Sequence, residues 1–226
     1  MNLLCGVLGV IAAFDARLDL AFYLMIAGAV FDFCDGLSAR ALKSYSPMGK
    51  ELDSLADVVT FGVLPSVMLV SLMRICTFSA SPLCLIPAVI AVFSGLRLAN
   101  FNVDERQHNS FLGLATPACA LICGSLCCLV IYGNLEFLSV WASGFVFIPV
   151  LSVVLSALLV CRVPMFSLKF AKGDDPVLVR KRVYFLVNIA IICVIVAVFG
   201  FHWSMAVLLA LLMYVLMNLV FAAFRI

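Results

Sequence analysis

The sequence predicts an all-α, polytopic transmembrane helical bundle of about eight helices, on three observations. Hydrophobic residues fill 66% of the 226 positions and charged residues only 12%, against about 45–50% and about 25% in a soluble globular domain. The apolar residues form long runs parted by charged or Gly/Pro-marked breaks, too uniform for the alternation of barrel strands. A backbone inside a bilayer must satisfy its own hydrogen bonds, which leaves the helix.

The first run, 2–14, is short for a span of about 20 apolar residues, and it lacks the basic flank and cleavage site of a signal peptide. Runs 18–43 and 49–73 follow, the second ending and the third beginning in a polar, acidic stretch. Runs 82–101, 116–133 and 143–161 complete a six-helix core over 2–161, and 182–199 and 203–223 add two C-terminal helices over 182–223. All belong to one integral membrane domain, 1–226. Of the 14 Lys and Arg residues, all but Arg17 and Arg74 fall after helices 2, 4 and 6 or at the C-terminus. The positive-inside rule therefore puts both termini and the loop of the acidic stretch in the cytoplasm. A net charge of +2, with no basic block interleaved with aromatics, excludes a nucleic-acid reading. The 10 cysteines lie mostly in apolar runs without a CxxC pair, and read as small buried hydrophobes.

The chemistry concentrates in FDFCDGLSARALKSYSPMGKELDSLADVV, residues 31–59. Helical residues three or four apart share a face, so Asp32 pairs with Asp35 and Asp53 with Asp57. A short connection makes their helices antiparallel neighbours, and four carboxylates can converge. Their mutual repulsion calls for cations, and two divalent ions would cancel four charges. All-oxygen ligands favour Mg²⁺ or Mn²⁺, and a two-metal clamp suits displacement at phosphorus. Gly36 and Ala39 keep the carboxylate face open to a bulky ligand. Gly49 opens the next helix where free amides would suit phosphate, and Arg40 can pair with phosphate oxygens at the rim. Glu51 reads as a boundary residue facing water.

These residues resemble the signature of the CDP-alcohol phosphotransferases, DxxDGxxAR, eight residues, then GxxxDxxxD. Asp32, Asp35, Gly36, Ala39, Arg40, Gly49, Asp53 and Asp57 match it at every position and spacing. NLLCGVLGVIA, DSLADVVTFGVLPS, GLRLANFNVDERQHNSFLGLATPA and VPMFSLK look like the bacterial CDP-diacylglycerol–serine O-phosphatidyltransferases of that family. Asn100 and Ala115 depart from it, where arginine and proline are usual.

The resemblance implies transfer of the phosphatidyl group from CDP-diacylglycerol to the hydroxyl of L-serine with release of CMP, at a bacterial inner membrane and by a homodimer. It implies that Asp32, Asp35, Asp53 and Asp57 hold the metals and that Asp57 is the general base, with Asp53 catalytic beside it. Gly36, Ala39, Gly49 and Asn2 would line the nucleotide pocket, with Asp32 and Arg40 at the diphosphate. Asn2 stands beside the initiator, which predicts a short or missing preceding segment. For serine, Arg97, Asn100, Asn102 and Thr116 lie on the same side of the membrane. Arg97 could take a carboxylate or simply snorkel at the boundary. Two other readings stay open: a family member with a different acceptor alcohol, and, more distantly, a cation or proton transporter built on the acidic cluster.

Overall fold

The computed structural model describes residues 1–41, 46–78, 81–103, 111–165 and 176–224, and of residues 39–41, 47, 111, 112, 176–178, 223 and 224 the backbone only. Each of the eight apolar runs carries helix. The elements are α1 (Asn2–Phe14), α2 (Leu18–Ala41), α3 (Pro47–Asp57), a π-helical segment (Val58–Val63), α4 (Leu64–Thr77), a 3₁₀ turn (Pro82–Ala88), α5 (Val89–Val103), β1 (Phe111–Leu112), α6 (Thr116–Tyr132), α7 (Glu136–Ser143), α8 (Phe147–Val160), β2 (Pro164–Met165), α9 (Pro176–Val198) and α10 (Ser204–Phe224). Five helices are long and apolar enough to cross a membrane, or six if α6 and α7, bent by 113° at their junction, form one span. Asn2–Phe14 and Phe147–Val160 are shorter apolar helices. Short α7 and the β1–β2 pair were not legible as apolar periodicity.

Small residues set the tight packing of the first helices. The turn from α1 to α2 places Ala16 at φ 59°, with Arg17 N–H bonded to Ala12 O at 2.9 Å and Ala16 N–H to Ala13 O at 3.2 Å, a Schellman closure without glycine. The two helices then lie close enough that a Cβ on Gly28 would stand 3.2 Å from Asn2 Oδ1, and the segment 58–63 packs as tightly, with Thr60 Cγ2 at 2.7 Å. In a lipid solvent this close backbone approach, rather than water exclusion, drives helix association. Phe22, Met25, Phe61, Leu64, Met68, Leu72, Cys119 and Cys123 fill the space among α2, α4 and α6. All ten cysteines are free, and Cys5, Cys84, Cys119, Cys123, Cys127 and Cys128 are buried.

The π segment continues α3 directly into α4. Its cause is in the sequence: Pro65 has no N–H for the carbonyl four residues earlier and its ring would strike that carbonyl. Widening the turn relieves the clash, and Leu64 N–H instead reaches Val59 O. Such wide turns cluster at functional sites, and this one begins at the residue after Asp57.

Across the bundle, β1 pairs antiparallel with β2, Phe111 opposite Met165 and Leu112 opposite Pro164. Gly113, at φ +75°, follows, and a Cβ there would sit 2.8 Å from the carbonyl oxygens of Cys161 and Leu159. Only glycine suits both the backbone angle and the space. This stitch leads the chain into α6. At the opposite end, Trp203 stacks on Phe22 with centroids 5.4 Å apart, docking the α9–α10 hairpin against α2. His202 bonds Ser204 Oγ at 2.8 Å there.

Candidate active site

The end of α2 and the whole of α3 bring the acids together. Ser46 caps α3, its Oγ accepting from Gly49 N–H at 3.0 Å, with Pro47 in the first turn where its missing N–H does no harm. The Gly49 amide expected to be free for phosphate is therefore taken, because the serine three residues before it is the better placed acceptor. Gly49 itself is exposed, and a Cβ there would meet Ser46 Oγ at 2.9 Å.

From α2, Asp32 is half-buried and makes side-chain contact with both Asp53 and Asp57 of α3, and Asp35 is close enough to act on it electrostatically. Asp35 and Asp53 are exposed. Among the described residues, no three His, Cys, Asp or Glu side chains surround a common point as metal ligands; the aspartates meet one another instead. Carboxylates held this close repel unless a proton or a cation lies between them. The donor set is all oxygen and fits a hard divalent cation. Gly36 is exposed on the same helix. Ala39 and Arg40 stand on its last turn, and their side chains lie outside the described ones.

Asp57 is held from α1. Asn2, buried to 4% exposure, donates through Nδ2 to Asp57 Oδ1 at 2.9 Å. Thr60 Oγ1, in the π segment, donates back to Asn2 O at 3.2 Å, so Asn2 and Asp57 are locked to one frame. The Asn2 Oδ1 atom is buried without a partner.

From the other side comes α5. Arg97 donates through Nη1 to Thr116 Oγ1 at 2.7 Å, joining α5 to the first turn of α6. Its Nε is buried and unpartnered, and Asp57 and Cys119 lie within its electrostatic reach. Asn102 Nδ2 donates to Ser54 Oγ at 2.9 Å, tying the end of α5 to α3 between the two motif aspartates. Asn100 is exposed and joins none of these bonds among the described residues. Sequence reasoning missed Ser54 and Thr60; the one usable signal was their position one residue past Asp53 and three past Asp57. Ser94, fully buried with Oγ unpartnered, also lay unmarked, one turn before Arg97.

The profile of the CDP-alcohol phosphatidyltransferase family matches residues 1–149. The chain belongs to that family. All four motif aspartates, Asn2, Arg97 and Thr116 fall inside the matched region. CDP-diacylglycerol–serine O-phosphatidyltransferases resemble the chain across distant organisms. That of Bacillus subtilis is 34% identical over 116 residues, covering 51% of this chain and 64% of the relative. That of Mycobacterium leprae is 32% identical over 179 residues, 73% and 55%. That of Methanocaldococcus jannaschii is 35% identical over 131 residues, 58% of each. The chain thus spans between half and two thirds of the length of these family members.

Proposed function

We propose that the protein is a CDP-diacylglycerol–serine O-phosphatidyltransferase of phospholipid biosynthesis, transferring the phosphatidyl group to the hydroxyl of L-serine and releasing CMP. The observation that carries the choice of acceptor is Arg97. A guanidinium anchored on Thr116, with no ion pair among the described residues and with Asp57 in electrostatic reach, is a costly arrangement in a membrane protein unless an anion is meant for it. An acceptor carrying a carboxylate beside its hydroxyl fits, and the names of the relatives support serine.

In this reading Asp57, oriented by the Asn2 amide, receives the proton of the serine hydroxyl. The oxygen so activated forms a bond to the phosphorus bearing diacylglycerol, and the bond from that phosphorus to CMP breaks, CMP leaving with the electron pair. Asp32, Asp35, Asp53 and Asp57 would hold Mg²⁺ or Mn²⁺, two ions, which supply neutralising charge to the diphosphate and the departing phosphate. Arg40 would pair with the remaining phosphate oxygens, and Gly36, Ala39 and Gly49 would keep room for the nucleotide. Asn2 Oδ1, buried without a partner, suits an exocyclic amine donor such as cytosine offers. Arg97, Asn102 and Thr116, with Asn100 at their edge, form the serine side. The distribution of Lys and Arg supports a site facing the cytoplasm, and the family resemblance supports a bacterial inner membrane and a homodimer as the active unit.

The test is CMP release by purified protein from CDP-diacylglycerol with Mg²⁺ or Mn²⁺ and a panel of alcohols: serine, glycerol phosphate, inositol phosphate and ethanolamine. Serine-dependent release is expected. Release with another acceptor but not serine removes this reading and leaves the family.

A further inference from the structure

Helix α3 carries two of the four aspartates, yet packing within the chain does little to hold it. Of its described side chains only Ala56 is buried, while Leu52 and Leu55 stand 55% and 62% exposed. Helices in proteins are held mainly by a buried face. This one buries almost none, so directed bonds must set its orientation, and side-chain amides supply them from two neighbours. On one flank Asn2 of α1 donates to Asp57 Oδ1 at 2.9 Å. On the other, Asn102 Nδ2 of α5 donates to Ser54 Oγ at 2.9 Å.

The polarity of the second bond is fixed by its surroundings. Ser54 Oγ gives its one proton to Lys50 O at 3.1 Å. Toward α5 the hydroxyl can therefore only accept, and the Asn102 amide must present an N–H. Ser54 is next to Asp53 and three residues before Asp57, so any turn of α3 about its axis that broke this bond would swing both carboxylates. The same α5 carries Arg97, five residues earlier and about 7.5 Å along the helix axis. Arg97 is fastened to α6 through Thr116 at 2.7 Å. One unbroken α-helix, Val89–Val103, is thus bonded to α6 at Arg97 and to α3 at Asn102. It spaces the guanidinium from the acids.

We propose that Asn102 is a positioning residue: through Ser54 it fixes the orientation of α3, and so holds Asp53 and Asp57 where they can share a divalent cation with the aspartates of α2. Its part on the serine side of the site is this bond across to the acids rather than contact with the acceptor. The inference rests on the cation site of the proposed reaction.

Mn²⁺ titrations of the full chain in detergent, read from the electron paramagnetic resonance signal of free Mn²⁺, test it together with steady-state CMP release. Asn102→Leu and Ser54→Ala should each weaken Mn²⁺ binding about 3- to 10-fold, the scale of one neutral hydrogen bond. In both variants kcat should fall by a similar factor, with KM for serine within about twofold. The double variant should be no worse than either single one, because the two residues act as a unit. Ser54→Thr, which keeps the hydroxyl, should bind Mn²⁺ as the wild type does. Asn188→Leu, which removes an amide bonded within α9 to Tyr184 O, is the control. Wild-type Mn²⁺ affinity in Ser54→Ala overturns the proposal even where Tm falls, since a merely structural bond costs stability alone. A serine KM that rises in Asn102→Leu but not in Ser54→Ala also overturns it, and makes Asn102 a ligand of the acceptor. If Asn102→Leu does not yield monodisperse protein, Ser54→Ala and Ser54→Thr decide alone. A wild type that binds no Mn²⁺ removes the cation reading of the aspartates itself, and the inference with it.

Discussion

Asn2 and Asp57, 55 residues apart in the chain, are joined by a 2.9 Å hydrogen bond from the amide to the carboxylate. The bond ties the first turn of α1 to the last residue of α3 before the π segment. Thr60 returns a bond to the Asn2 backbone, so the carboxylate is fixed by two elements rather than by its own helix. A base must point its lone pair at the incoming hydroxyl, and misplacement by an ångström lowers rates steeply.

Asn2→Leu should therefore lower kcat/KM by about 10- to 100-fold, the equivalent of losing a charge-assisted hydrogen bond of ~1.5–3 kcal/mol. Thr60→Val, which removes only the second bond, should have a smaller effect in the same direction. CMP release at saturating and limiting serine checks both. An Asn2→Leu enzyme with wild-type kcat/KM would show that Asp57 needs no external support.

The aspartates make opposite demands on activity and stability. Asp57→Asn and Asp53→Asn should each reduce CMP release by at least about 100-fold, the scale of a lost general base or charge partner. Asp32 sits against two other carboxylates, whose repulsion a bound cation would offset. Removing one charge relieves repulsion. In EDTA, Asp53→Asn should accordingly unfold at a temperature about 2–4 °C higher than wild type, roughly 1 kcal/mol for a chain of this size. Adding Mg²⁺ or Mn²⁺ should raise the wild-type Tm and leave the variant's nearly still. Thermal unfolding in detergent with and without the ions reads all of these; a wild-type Tm indifferent to both ions contradicts a cation at this cluster.

How much of this was legible follows the physics of each feature. Runs of apolar residues report burial in lipid directly, so all eight helical segments and the convergence of Asp32 with Asp53 and Asp57 could be read from periodicity. The π segment could not, because it arises from one proline acting on a carbonyl four residues back, and periodicity averages over such a local event. Short α7 and the 113° bend before it depend on Asn134 at φ 52°, a single-residue choice. Arg97 and Thr116 were legible as polar residues on one side, but their 2.7 Å bond is a tertiary fact. Asn100 illustrates the limit: sharing that side of the membrane does not give it the same partners, and it is exposed at the end of α5.

The β1–α6 junction is a backbone device rather than a site. Gly113 combines φ +75° with carbonyl oxygens of Cys161, Leu159 and Leu158 within 3.0 Å of where a Cβ would stand. None of these atoms is the end of a flexible side chain that could move aside. Gly113→Ala should destabilise the protein by about 1–3 kcal/mol, lowering Tm by several degrees. Because the junction sets the first turn of α6, the displaced Thr116 should also raise KM for the acceptor. A Tm equal to wild type would mean that this turn is free to reshape.

Arg97→Lys is the sharpest separation of charge from geometry. Arginine here does two things at once: Nη1 is fixed to Thr116 Oγ1, and Nε on the other edge of the same plane is left without a partner. A rigid fork can anchor on one edge and present the other. Lysine keeps the positive charge but offers a single flexible point, which can satisfy Thr116 or an acceptor carboxylate but not hold both in one plane. If charge alone mattered, Arg97→Lys would be near wild type and Arg97→Gln much worse. If the planar fork matters, both should raise KM for serine by about 10- to 100-fold, in keeping with loss of a charge-assisted bond of ~1.5–3 kcal/mol. KM for CDP-diacylglycerol should move little, since the residues proposed for the nucleotide come from α1, α2 and α3 and Arg97 comes from α5. Thr116→Val tests the anchor independently: with the guanidinium charge intact but unfastened, serine KM should rise less than in Arg97→Lys while kcat falls through poorer alignment with Asp57.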